Sequence, residues 1–512
     1  MAAGILLSRI LGLIRNRVFA HYLGTTDAAD AFNAAFKIPN FLQNLFGEGV
    51  LSASFIPVYA HLLGRDEQEE SRKLAGAVFS LLALITALLV LAGVLLTPVL
   101  IAIIAPGFEG EKRAVTIQLV RILFPGAGLL VMSAWCLGVL NSHRRFFLSY
   151  AAPVIWNVTI IVVLIAFGRT ATGYPLATIA AWASVAGSAL QFGVQVPPVL
   201  RLLGKLHLRL GTQLESVRKV VRNFAPVFVG RGVVQISAYV DTVLASLLPT
   251  GAVAALSYAQ VLYTLPVSLF GMSVSAAELP AMSSATGTED KRSAELRGRL
   301  EGGLRQIAFF VVPSAVAFLA LGDVVGGAIY QSGAFTREMT VYVWGILAGS
   351  AVGLLASTLG RLYASTYYAL HDTRTPLRFA IIRVVLTIAL GYVCALPLPG
   401  WLGIDQRWGV AGLTASAGVA GWVEFSLLRR TLNQRIGRTG LPLSYLTRLW
   451  GSAGSAAIAA WVVKLALIDR APLVMGLFSL SMYGAAFFAV AASLGVPEAR
   501  RTLSRIPGFR TR

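Results

Sequence analysis

Apolar residues run in blocks of about twenty or more from one end of the chain to the other, separated by short polar stretches. Each block is long enough to cross a hydrocarbon core as a helix, which takes roughly 20 residues. Fourteen such segments are predicted, at 3–22, 28–60, 74–104, 114–140, 147–168, 174–200, 220–248, 252–285, 304–330, 338–367, 376–397, 406–431, 443–468 and 472–495. The ten-residue alternation of a membrane β-barrel is absent, so the expected fold is an all-α polytopic membrane protein. No charged region precedes the first segment and no small-residue cleavage site follows it, so it is expected to be a retained helix and not a signal peptide.

Composition supports this reading: 56% of the 512 residues are hydrophobic and 13% are charged. The net charge of +20 raises the question of nucleic acid. The positions of the charges answer it. Counting alternate loops from the second segment on, 28 Lys and Arg fall on one side and 6 on the other. That asymmetry is the positive-inside pattern, and it predicts both termini in the cytoplasm, as an even number of spans requires. The basic excess therefore reflects topology and attraction to anionic lipid. Cys136 and Cys394 lie inside predicted spans as packing residues, and the five histidines have no paired metal-ligand spacing.

Nine of the 43 basic residues remain, inside the spans: Arg9, Arg15, Arg17, Lys37, Arg121, Arg231, Arg361, Arg383 and Lys464. A charge at the bilayer centre costs on the order of 2.5–3.5 kcal/mol on insertion scales, so such residues usually face a bundle interior or a wet cavity. Arg17, Arg121, Arg383 and Lys464 lie close to span ends and are expected to snorkel to the headgroups. Arg231, near mid-span, is ambiguous. Arg9 and Arg15 are about 9 Å apart along a helix axis and about 120° apart around it, so both can line one broad cavity wall. In the second segment, Asp30, Lys37 and Glu48 fall within about 20° of one helical stripe. Pro39, followed by Asn40, is expected to break that helix near its middle, with Gly47 and Gly49 loosening it again. Broken helices carrying buried charge at membrane depth mark transport sites. Asp241, alone in the seventh segment, is expected to pair with an arginine such as Arg231, or to hold a cation or a proton.

The stretch "TTDAADAF…LFGEGVLSASFIP" (25–57) is weakly echoed by "PTGAVAAL…LFGMSVSAAELP" (249–280), which predicts two homologous halves. The expected organisation is an N-terminal lobe at 1–203, a cytoplasmic linker at 204–219, a C-terminal lobe at 220–432, two additional helices at 433–496 and a basic tail at 497–512.

Several motifs carry a resemblance to a known family. "SRILGLIRN" (8–16), "DAADAFNAAFKIPNFLQNLFGEGVLSASFIPVY" (27–59), "APGF" (105–108) and "YYALHDTRTP" (367–376), in this order, closely resemble the MurJ (MviN) family of lipid II flippases, within the multidrug/oligosaccharidyl-lipid/polysaccharide exporter superfamily. The resemblance implies an alternating-access transporter, not an enzyme, in the bacterial cytoplasmic membrane. Its cargo would be undecaprenyl-pyrophosphate-linked disaccharide-pentapeptide for peptidoglycan assembly. It also implies two six-helix lobes around a cationic cavity and two extra helices forming a groove for the lipid tail.

Carried over residue by residue, Arg9, Arg15, Lys37 and Asn40 would bind substrate. Asp30, Glu48, Arg361 and Arg231 would form gating or structural ion pairs, and Asp241 would match a possible cation or proton site. The suggested partners of Asp241 fall at Thr387 and Gly391, and glycine offers no side-chain ligand, which argues against sodium. No cofactor is expected beyond coupling to membrane potential or to a monovalent cation, and a monomer is expected, with cell-wall synthesis proteins as candidate partners. The chain departs from the family pattern at Gln43 and Val261, where relatives often carry arginine. Two alternatives stay open on that account: an exporter of another polyprenyl-linked glycan, or a transport-inactive scaffold for cell-wall enzymes.

Overall fold

The computed structural model describes residues 2–204, 210–211, 213–284 and 288–504, without the side chains of 2–5, 48–49, 225–238 and 503. The side chains of Glu48 and Arg231 therefore lie outside the described residues. The chain divides into two compact units, one of residues 1–254 with 333–335, the other of 255–332 with 336–512.

The first unit is built from α1 (Ala2–Leu23), α2 (Asp27–Phe46), α3 (Glu48–Ser54), α4 (Ile56–Gly64), α5 (Gln68–Leu95), α6 (Thr97–Ile104), α7 (Gly110–Ser142), α8 (Phe146–Phe167), α9 (Gly173–Leu203) and α10 (Glu215–Ser246). Its core gathers where α2, α3, α4, α5 and α7 meet, around Phe55, Tyr59, Leu74, Trp135 and Val139. Thr26 opens α2 by accepting from the Ala29 N–H, an N-cap of the usual kind.

The expected break in the second segment is present but displaced. Helix α2 runs through Pro39 and ends at Gly47, whose backbone is extended. A proline removes one ladder hydrogen bond, a loss that neighbouring helices in a membrane bundle can accommodate. Gly47 is different, because a Cβ there would lie 2.1 Å from the Gln43 carbonyl oxygen. A second break follows at Phe55, between α3 and α4. Asp30 and Lys37 thus share one helix, whereas Glu48 begins another, and the single polar stripe drawn through all three does not extend to Glu48.

The second unit takes up α11 (Ala252–Pro266), whose first residues belong to the first unit, then a π-helical turn (Val267–Met272), α12 (Ser273–Ser283), α13 (Glu289–Tyr330), α14 (Arg337–Ala369), α15 (Arg374–Ala395), α16 (Pro397–Leu402), α17 (Gly409–Ile436), α18 (Leu443–Ala466), α19 (Pro472–Ser493) and α20 (Pro497–Leu503). Helices α14 and α17 cross at Gly353 and Gly418, backbone against backbone. Small residues at such crossings permit the close approach that drives helix association in lipid.

Among the described residues, eleven helical stretches are long and apolar enough to span a bilayer, and the chain is a multi-pass membrane protein. They match eleven of the fourteen predicted segments. The other three segments are helical as well: α1, the α2 to α4 stretch and α10. These three carry Arg9, Arg15, Arg17, Asp30, Lys37 and Asp241.

Candidate functional site

The most completely built cluster surrounds Asp30, which is only 1% exposed. Its Oδ2 accepts from the Gly251 N–H at 2.7 Å and its Oδ1 from the Ala254 N–H at 2.8 Å, so the carboxylate caps the start of α11. An anion there also complements the positive end of the helix dipole. Lys112 completes the charge balance, with Nζ 2.7 Å from Asp30 and 2.8 Å from Asp27. The Phe108 ring lies under that ammonium at 4.3 Å, and Thr250 donates to Asp27 at 2.9 Å. Asp30, expected in a gating or structural ion pair, is paired with Lys112. Lys112 follows the "APGF" stretch and reads in the sequence as an ordinary loop charge.

Lys37, about two turns further along α2, faces α10. Its Nζ donates to Thr242 Oγ1 at 2.5 Å, and it lies within coulombic reach of Asp241. Tyr239 donates to the Lys37 carbonyl oxygen at 2.8 Å and meets Phe41 edge-on, fixing this turn of α2 against α10. The structure thus brings Lys37 and Asp241 into one electrostatic environment. Asn40 points elsewhere: with Gln43 it lines a small gap against α7 and α9, opposite Ser184 and Ser188.

Arg15 stands over the face of Trp156 at 4.7 Å and donates to the Asn16 side chain at 3.1 Å. Phe36, the residue before Lys37, stacks on the same indole at 5.8 Å, and Phe32 and Phe19 continue the aromatic column. Trp156 is anchored in turn by donating to the Ser184 carbonyl oxygen at 3.1 Å. Arg9 is exposed on α1, and Arg17 is partly buried.

In the second unit, Arg361 is exposed on α14 and acts electrostatically on Glu424 of α17. Arg383 pairs directly with Glu424 at 3.3 Å. Lys464 lies 2.7 Å from Asp323 of α13 and over the rings of Trp461 and Trp344. Arg383 and Lys464, expected to snorkel, instead have carboxylate partners within the protein. Beside α11, α13 and α19 runs a groove of about 340 Å³, lined by Leu265, Leu269, Phe310, Phe318, Phe487 and Phe488. Among the described residues, no group of three or more His, Cys, Asp or Glu side chains could hold a metal ion.

Comparison with known proteins bears on this arrangement. The family described as "Lipid II flippase MurJ" matches residues 19–492. A probable lipid II flippase MurJ of Rhizobium meliloti (strain 1021) is 31% identical over 511 residues, covering 95% of this chain and 91% of its own length. The lipid II flippase MurJ of Burkholderia cenocepacia is 31% identical over 437 residues, covering 84% and 82%. Among solved structures, a lipid II flippase MurJ in an inward closed conformation superposes with a TM-score of 0.78 at 24% identity, covering 96% of this chain and 98% of that one. An inward-facing multidrug resistance MATE family transporter of the MOP superfamily superposes with a TM-score of 0.64 at 16% identity, covering 83% and 95%. These two structures share the fold.

Proposed function

Since the chain belongs to the lipid II flippase MurJ family, we propose that it moves lipid II from the cytoplasmic to the outer leaflet of the bacterial cytoplasmic membrane, with both termini in the cytoplasm. The observation that carries this reading is the family match across residues 19–492, together with cations at membrane depth that suit a pyrophosphate. Arginine forks complement phosphate oxygens in pairs, and Arg15 is pre-oriented on Trp156 for that task. Lys37 supplies a second cation, and Asp241 opposite it gives that ammonium a counter-charge when no substrate is present. Arg9 extends the cationic wall along α1. The Asp27, Asp30 and Lys112 cluster closes the end of the first unit at which α2 begins. The apolar groove beside α11, α13 and α19 receives the polyprenyl tail, which stays in lipid while the headgroup passes. Two homologous halves, at 1–203 and 220–432, with the helices of 433–496 as an addition, fit this scheme.

Replacement of Arg15 by Ala in a strain that depends on this gene is expected to stop growth and to leave lipid II in the inner leaflet. Normal growth with normal outer-leaflet lipid II would refute the assignment. Gln43 and Val261 favour one second reading, export of a different polyprenyl-linked glycan. Failure to replace a known lipid II flippase, combined with loss of another surface polysaccharide, would select it.

A further inference from the structure

Leu45, Phe46 and Gly47, where α2 ends in the first unit, recur as Leu269, Phe270 and Gly271 in the second. The backbone is irregular there too: Pro266 ends α11, and Val267–Met272 form the π-helical turn that precedes α12. Such a turn closes i→i+5 bonds, holds more residues than an α turn and is found frequently at functional sites. Its causes are local. Pro266 has no N–H, so the Leu262 carbonyl loses its ladder partner. The Ser268 hydroxyl donates to the Leu265 carbonyl at 3.1 Å and the Ser273 hydroxyl to that of Leu269, which satisfies carbonyls where the backbone widens. Gly271 holds one side of the turn against α14, since a Cβ there would lie 3.0 Å from the Thr358 side chain. The other side faces the apolar groove beside α13 and α19. Leu269, 52% exposed, and Phe270 line that groove, and Phe270 stacks on Phe310 of α13 with ring centroids 4.3 Å apart.

We propose that this turn is the element through which the groove senses its occupant: an apolar chain lying against Leu269 and Phe270 shifts the turn from i→i+5 towards i→i+4 bonding and rotates α12 relative to α11. The inference rests on the assignment of the groove to the polyprenyl tail. A ligand shifts a two-state element only through contacts that differ between the states. Leu269 and Phe270 supply them, because their directions around the helix axis change with the bonding pattern while Gly271 stays packed on Thr358. Groove and turn both belong to the second unit, so the coupling needs no element outside it.

Undecaprenol, an uncharged polyprenyl alcohol, is the probe, with the full chain in phosphatidylcholine nanodiscs. Native mass spectrometry reads its binding, and hydrogen–deuterium exchange over residues 262–276 reads the turn. In the wild type, saturating undecaprenol is expected to slow exchange of these amides about fivefold or more, since α-helical bonds open less readily than those of the wide turn. Deletion of Leu269 removes a surplus residue from the turn and should give slow exchange with or without the probe. Leu269→Ala keeps the residue count but withdraws the contact, and its amides should stay fast with undecaprenol bound. Melting temperatures verify folding, and if the deletion melts early the comparison of wild type with Leu269→Ala decides. Undecaprenol bound with exchange unchanged in the wild type, or slowed equally in Leu269→Ala, overturns the proposal and leaves the groove assignment standing. Failure of the wild type to retain undecaprenol removes the groove assignment and the proposal with it.

Discussion

The backbone N–H of Gly251, held at φ of +90°, donates to Asp30 Oδ2 at 2.7 Å, so a left-handed residue before α11 aims an amide at a buried carboxylate. A Cβ at residue 251 would lie 2.5 Å from the Thr25 carbonyl oxygen, so both conformation and space require glycine. Gly251→Ala is expected to cost about 1–3 kcal/mol through backbone strain alone. Asp30→Ala strands two amides and leaves Lys112 only the half-exposed Asp27, and removing one partner of a buried pair costs about 3–5 kcal/mol. Asp27, with its side chain 47% exposed, is worth under about 1 kcal/mol in the same cluster. Thermal melts in detergent should therefore rank Asp30→Ala below Gly251→Ala, and both well below Asp27→Ala. Equal melting of the Asp27 and Asp30 variants would contradict this order.

Arg15 and Phe36 both contact the ring of Trp156, and this makes a prediction about orientation. A cation over an indole gains about 0.5–2 kcal/mol, more where water is excluded. Trp156→Leu should weaken binding of lipid II to the purified protein by about three- to thirtyfold with Arg15 still present. Trp156→Phe keeps a ring but loses the bond to the Ser184 carbonyl, and should fall between that variant and the wild type. Titration with lipid II under native mass spectrometry reads both. Equal affinity in all three proteins would show that Arg15 needs no platform.

How much of this was legible in the sequence follows from how far apart the interacting residues are. The segment predicted at 147–168 is the helix Phe146–Phe167, and 472–495 is Pro472–Ser493, because apolar length and flanking polar residues are local signals. The break in the second segment was legible in kind but not in place. Proline announces a lost hydrogen bond, whereas the close contact of Gly47 with the Gln43 carbonyl becomes visible only in three dimensions. The intramembrane charges identified Lys37, Arg15 and Asp241 as residues needing partners. The partners themselves were not legible. Lys112 is 82 residues from Asp30, and Thr242 is 205 from Lys37, with no periodicity connecting them. Trp156, in an apolar run, looks like any lipid-facing aromatic until Arg15 is found on its face.

Asp372, in the loop between α14 and α15, supplies a pH prediction outside the spans. Backbone donation from Thr375, helped by the Thr375 hydroxyl and by Arg435 at 2.7 Å, holds its carboxyl down at about 2 against an ordinary 3.8. Because the folded value is the lower one, the stabilisation is fully present above pH 4 or so and is lost as pH falls towards 2. The melting temperature of the wild type should exceed that of Asp372→Asn by a constant amount from pH 8 down to about pH 5. The gap should then narrow from pH 4 downward. A gap unchanged at pH 2.5, or one that opens on acidification, would show that the carboxylate form is not what holds this loop.

Lys464 and Asp323 join α18 to α13 beside the one kink within α13, where Leu321 has left helical geometry at φ of −129° and ψ of 18°. The kink redirects carbonyls, and two tryptophans take them up: Trp344 donates to Leu319 at 3.1 Å and Trp461 to Ala320 at 2.8 Å. The ion pair is well shielded, with side-chain exposures of 12% and 17%. Lys464→Met leaves a carboxylate at membrane depth without its ammonium and is expected to cost about 3 kcal/mol or more. Trp461→Phe leaves a carbonyl unpaired, at a cost of about 1–3 kcal/mol. The exchange Asp323→Lys with Lys464→Asp restores opposite charges across the same gap and should recover much of the loss. The cycle of two single variants and the exchange, followed by thermal unfolding in detergent, reads the coupling directly. Additive losses, with no recovery in the exchange, would mean that the two helices are held by the tryptophans and their packing alone.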